Sequence, residues 1–190
     1  MYPAWLGVIS YKSSQIVNAV FTGVVAFIYG ERRGRFENRP WDKGAIMDRR
    51  DLLLAILAAS DGRPYDPVQI QKAAFLLTRN RPNVVTDGPN FNFTPYDYGP
   101  FDADVYNEAS ALALAGAAAI APSAAGRWNT YAATDEGLIR GRQILQNLDE
   151  GTREYVSKVS AWVRSQSFGG LVKSIYDAYP DMKVNSIFKG

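Results

Sequence analysis

Neither cysteine nor histidine occurs anywhere in the 190 residues. Without cysteine there is no disulfide and no thiolate-bound metal, so a reducing compartment, the cytoplasm, is the natural expectation. Without histidine the Ser-His-Asp and Cys-His arrangements of acyl transfer are excluded, together with the commonest ligand of zinc and iron. Long apolar runs are scarce. Ile16–Tyr29 spans fourteen residues interrupted by Asn18, Thr22 and Gly23, whereas a spanning helix needs roughly twenty. Only Lys12 precedes that run and Glu31-Arg32-Arg33-Gly34-Arg35 follows it, the wrong flanks for a signal peptide.

Positive charge is also in short supply where it would matter. Residues 1–46 hold six Lys/Arg and three Asp/Glu, a net of +3, and residues 47–190 hold fifteen and sixteen, a net of −1. The slightly basic balance of the whole chain, +2, belongs to the N-terminal segment. Residues 1–46 differ from the rest and stand apart as an N-terminal extension. An over-called start codon, a peripheral hairpin or helix, and a membrane anchor are the three readings of it.

What is present from Met47 onward is a regular pattern. Hydrophobic residues make up 47% of the chain, enough to build a real core. Asp48 caps a first helix to about Ala59, with Leu53, Ile56 and Leu57 inward. Asp66-Pro67-x-Gln69 opens a second helix to about Arg79 as a capping box with proline at its first position. The first half of Phe91–Ser110 alternates aromatic and small polar residues, as a short strand does, and Gly99-Pro100 breaks it. Asp102 then caps a third helix whose inner face is Val105, Ala109, Leu112 and Gly116. Ala117–Ala121 and Arg127–Ala133 form a β-hairpin around Pro122–Gly126, and Thr134 caps the next helix. Two further stripes follow, Tyr155, Val156, Val159, Trp162, Val163 and then Phe168, Leu171, Val172, Ile175, Tyr176, before Pro180 ends the last helix. The expected fold is mainly α with a small β-hairpin (α+β). Its core is winged helix-turn-helix-like over about 47–147, with C-terminal helices packed against it to 188.

Three chemistries fit these residues. A winged helix suggests DNA, yet the third helix holds Asp102, Asp104 and Glu108 and no Lys or Arg. Binding to duplex DNA is driven by cations on phosphates, and of Arg, Lys, Asn and Gln, which base reading favours, only Asn107 lies there. Asp97, Asp102, Asp104 and Glu108 could instead ligate Mg²⁺ for a nuclease, since Asp104 and Glu108 lie one helical turn apart. Against this, Asp102 serves as a cap, Asp104 answers the helix dipole, and Glu108 is read as solvated. The third candidate is the aromatic corner. Phe91, Phe93 and Phe101 read as core, whereas Tyr96, Asp97 and Tyr98 before the rigid Gly99-Pro100 suit surface recognition and structural packing equally.

From Met47 to Phe188 the chain resembles the Panacea family of antitoxin-type domains, with its SocA-like and YwgA-like branches. Three motifs carry the likeness: Ile70-Gln71-Lys72-Ala73-Ala74-Phe75-Leu76; Tyr96-Asp97-Tyr98-Gly99-Pro100-Phe101 running into Val105-Tyr106; and Tyr131-x-x-Thr134-x-x-Gly137. The ending Ile175-Tyr176-Asp177-Ala178-Tyr179-Pro180 with Ser186 is similar to the YwgA-like close. Two features depart from it. Gly116 is followed by Ala117-Ala118-Ala119-Ile120 rather than Gly-Leu-Ile, and residues 1–46 lie outside the likeness. The resemblance implies a non-enzymatic module, without cofactor or metal, that neutralises a partner toxin by direct protein contact. Its contact residues would be Tyr96, Asp97, Tyr98, Gly99, Pro100, Asp104 and Glu108. An acidic third helix agrees with a basic protein partner. The alternatives are a DNA-binding transcriptional regulator and, below it, a Mg²⁺-dependent nuclease.

Overall fold

The computed structural model describes residues 47–189, so the readings of residues 1–46 lie outside the described residues. In chain order the elements are α1 (Arg49–Ala58), α2 (Pro67–Asn80), β1 (Thr94–Tyr96), β2 (Gly99–Phe101) and α3 (Asp104–Leu114). There follow β3 (Ala118–Pro122), β4 (Asn129–Ala133), α4 (Asp135–Asn147), α5 (Glu150–Ser165), α6 (Phe168–Ala178) and a 3₁₀ turn at Pro180–Lys183. The architecture is mainly helical α+β, with two separate antiparallel hairpins, β1–β2 and β3–β4.

Helix α1 is the centre. Asp48 accepts the Asp51 amide at 2.8 Å and fixes its start, as expected. Every residue from Leu52 to Ala58 is buried, not only the Leu53, Ile56, Leu57 stripe. The reason is enclosure: α2, α3, α4, α5 and β4 all pack on α1, and a helix that is apolar all round belongs inside. Helix α4 comes closest. A Cβ on Gly141 would run into the Ala58 side chain and sit 2.9 Å from the Leu54 carbonyl, so glycine sets the separation of these two helices.

Helix α2 carries the rest of the frame. Gln69 accepts the Asp66 amide at 3.0 Å in the expected capping box. At the other end the Asn80 side-chain nitrogen lies 2.8–2.9 Å from the Leu76 carbonyl and the hydroxyls of Tyr155 and Tyr179, and the Tyr179 hydroxyl donates to Asn80 Oδ1 at 3.2 Å. That junction fastens α2 to α5 and to the residue that follows α6. Buried deeper, the Tyr65 hydroxyl donates to the Ile56 carbonyl at 2.8 Å and shares a hydrogen bond with Ser160.

The third motif is explained where β4 passes into α4. Tyr131 exchanges backbone hydrogen bonds with Tyr65 at 2.8 and 3.0 Å. Thr134 accepts the Gly137 amide and donates its hydroxyl to the Gly116 carbonyl. A Cβ on Gly137 would collide with the Ala117 carbonyl. The β3–β4 hairpin pairs Ala118 with Ala133 through to Pro122 with Asn129, so the alanine-rich first strand does form a ladder.

Four expectations need correction. There are two hairpins rather than one, because Gly99-Pro100 starts a second strand instead of ending the first. The strand expected in the first half of Phe91–Ser110 is confined, before the loop, to Thr94–Tyr96. Helix α3 begins at Asp104, not beside Asp102, although the Asp102 carboxylate still accepts the Asp104 amide at 2.9 Å. Gly116 is exposed at φ +76° and terminates the helix rather than lining its inner face.

Candidate ligand-binding cleft

The β1–β2 hairpin is built around two prolines. Tyr96 pairs with Gly99 across the two-residue loop Asp97-Tyr98, and Gly99 has φ +96°, a region that favours glycine. Pro95 faces Pro100 in the next pair. Beyond a hydrogen-bonded closing pair comes a non-hydrogen-bonded one, where neither residue needs an N–H and both carbonyls point outward. Both outward carbonyls are taken. Lys72 Nζ donates to Pro100 O at 3.0 Å, and the Asn185 amide donates to Pro95 O at 3.0 Å.

The first two motifs therefore meet in space. Gln71, next to Lys72 on α2, donates to the Asp102 carbonyl at 2.9 Å and accepts the Asp102 amide at 3.2 Å. Gln71 and Lys72 hold the backbone from Pro100 to Asp102 in place. On the opposite side the C-terminal segment straps the hairpin. The Ile187 amide donates to Asp97 O at 3.0 Å, and Tyr176 donates to Ser186 at 2.7 Å.

A cavity of ≈ 570 Å³ opens between this hairpin, the start of α2 and the start of α6. Tyr96, Tyr98, Trp128 and Phe168 stand around it, each 42–53% exposed. Phe101, Tyr106 and Leu171 also line it, with Gly99 and Lys72. Aromatic pairs brace the wall. Tyr98 meets Phe168 edge to face at 5.1 Å, Tyr96 meets Phe101 at 5.2 Å, and Tyr106 stacks on Tyr131 at 5.5 Å. Trp128 donates its indole N–H to Asp66 at 2.8 Å. Burial pushes the Tyr106 hydroxyl up to about 12.

Lys72 is the unusual group. It is 3% exposed, and its ammonium has one hydrogen-bond partner among the described residues, the Pro100 carbonyl. Burial pulls it down from 10.5 to about 7, and among the described residues no carboxylate opposes the shift.

The acidic helix has a different setting. Arg49 lies 2.7 Å from Asp104 and 2.9 Å from Glu108, and Arg50 lies 2.8 Å from Glu108. Glu108, expected to be solvated, is 8% exposed. The Asn107 amide and the Arg49 guanidinium hold the Asp104 carboxyl below its usual range. These carboxylates are committed to α1. Among the described residues no group of three or more acidic side chains could hold a metal ion.

Of the residues read from sequence, Tyr96, Asp97, Tyr98 and Gly99 line the cavity. Pro100 is buried behind it, and Asp104 and Glu108 are not among its lining residues. Lys72, Gln71, Trp128 and Phe168 escaped notice as site residues. Lys72 did leave a trace: Phe75 and Leu76 stand three and four positions after it, which places the lysine on an apolar helical face. Trp128 and Phe168 left none, since one reads as a member of the expected strand Arg127–Ala133 and the other as the first member of a core stripe. No family model matches the chain, and comparison with curated proteins and with solved structures returns no match.

Proposed function

We propose that this protein is a non-enzymatic, antitoxin-like module that neutralises a toxin by holding an apolar segment of it in the aromatic cleft. The carrying observation is the ring of half-exposed Tyr96, Tyr98, Trp128 and Phe168 around an apolar cavity. Large exposed aromatics over a concave apolar surface have the profile of an interface hot spot. The antitoxin assignment rests on the Panacea resemblance of the motifs that form this cleft. We read the order of α1, α2, α3 and the β3–β4 hairpin as that of a winged helix, and place the protein in the cytoplasm. Among the described residues no helix is long and apolar enough to cross a membrane.

The acidity of α3 no longer supports a basic partner, because Arg49 and Arg50 neutralise Asp104 and Glu108. Contact residues are accordingly Tyr96, Asp97 and Tyr98, shaped by Gly99 and Pro100. The test is co-expression with the protein encoded next to it. Rescue from a lethal neighbour is expected, and the Tyr96→Ala, Tyr98→Ala double variant should weaken the complex by roughly a hundredfold, as loss of two hot-spot side chains does. Full rescue and unchanged affinity in the double variant would remove the cleft from the interface. Salt-dependent binding to upstream DNA with no protein partner would favour the regulator instead.

A further inference from the structure

Lys72 stands at the cleft as a cation with no counter-ion among the described residues. Its Nζ has three donors and spends one on Pro100 O at 3.0 Å. The aliphatic stem lies against Gly99, where an added Cβ would sit 3.5 Å from both Cε and Nζ. The acids nearest by lining are Asp66 and Asp97. Asp66 receives the Trp128 indole N–H, and neither carboxylate forms an ion pair with Lys72 among the described residues. An ammonium buried without a partner charge is costly, so a charge that arrives with the ligand gains more here than it would in water.

Contrast the guanidinium groups of Arg49 and Arg50. Each has a carboxylate within 2.9 Å, so nothing there calls for an outside anion. At the cleft neither Asp66 nor Asp97 pairs with Lys72 among the described residues, and much of the remaining wall is apolar and aromatic. We propose that the docked partner segment inserts an apolar side chain next to a carboxylate, and that this carboxylate pairs with Lys72 Nζ. The inference rests on the cleft being the docking surface and adds the chemistry that the cleft selects. The downward shift of Lys72 to about 7 agrees with it, because an incoming carboxylate restores the charged form that burial disfavours.

The probe is 3-phenylpropionate, which joins an aromatic ring to a carboxylate, compared with 3-phenylpropanamide, which has the same shape and no charge. Both are titrated into the full chain and followed by NMR shifts of the Tyr96–Phe101 amides. Expected is roughly tenfold tighter binding of the acid, about 1.4 kcal/mol. Lys72→Met should erase that preference, and Lys72→Gln, which can still donate to Pro100 O, should erase it too, so a misfolded methionine variant does not leave the question open. Equal binding of acid and amide, a preference that survives in Lys72→Gln, or binding of neither would overturn the inference. The two readings fail separately. Partner affinity unchanged in Lys72→Gln but lost in Tyr96→Ala, Tyr98→Ala removes the carboxylate anchor and leaves the docking surface standing.

Discussion

Two cationic regions of this molecule are handled in opposite ways. Along the α1–α3 seam, Arg49 and Arg50 meet Asp104 and Glu108 at 2.7–2.9 Å, and each charge has a partner from the chain itself. Under the β1–β2 hairpin, Lys72 is buried more deeply than either arginine and among the described residues its ammonium meets only a carbonyl. The difference separates two uses of charge. A matched network in a half-buried seam fixes how two helices sit, whereas an unmatched ammonium beside an open apolar cavity is a place where something else can complete the pairing. Linear charge counting misses this distinction, because it scores α3 as an acidic surface and gives Lys72 no weight.

The sharpest way to break the comparison is to remove the shared acid of the seam. Glu108 receives both arginines with a side chain only 11% exposed. Glu108→Ala should destabilise the fold by roughly 2 kcal/mol in denaturant unfolding, since Arg50 loses its carboxylate, Arg49 keeps only Asp104 and a gap opens beside α1. A loss below about 1 kcal/mol would mean that the seam behaves like an ordinary surface network.

An effect of similar size is expected at Lys72, and it has a pH signature. The folded-state value lies below the unfolded one, at about 7 against 10.5. As pH falls through that window the unfolded chain takes up the proton first, so the Lys72 contribution favours unfolding increasingly down to about 7 and is constant below. Stability should therefore rise between pH 7 and pH 9, by roughly 2 kcal/mol from this group at up to about 1.4 kcal/mol per pH unit. The missing residues make the measurement clean: with no histidine and no cysteine in the chain, the α-amino group is the only other ordinary titration there. Lys72→Met should flatten the slope. A slope that persists in the variant would place the titration elsewhere.

How much of this was legible beforehand follows from the range of each signal. Caps are local, and Asp48, the Asp66/Gln69 box and Thr134 all act where the sequence puts them. The stripes on α5 and α6 are local as well, and their members are buried, apart from Phe168 at 47% exposure. In the β1–β2 hairpin the sequence signal misleads, because glycine followed by proline looks like a break. What rescues the strand is its register, which sets Pro95 opposite Pro100 where no N–H is required. The cleft was half legible. Tyr96, Asp97 and Tyr98 announced themselves by composition, while Trp128, Phe168 and Lys72 reach it from distant positions in the chain, through tertiary contacts that periodicity does not encode.

The smallest expected effect tests what separates the two regions at a third place. Lys173 and Asp177 on α6 lie 2.8 Å apart, the same distance as Arg50 and Glu108. If ion-pair length decided the energy, the two pairs would matter equally. Lys173 and Asp177 are 65% and 52% exposed, however, so water already solvates both charges and screens their attraction. Alanine also suits a helix as well as lysine does. Lys173→Ala should shift stability by less than about 0.5 kcal/mol, measured under the same conditions as Glu108→Ala. Similar losses in both variants would make distance the controlling quantity. The contrast between the matched seam and the unmatched lysine would then lose its basis in burial.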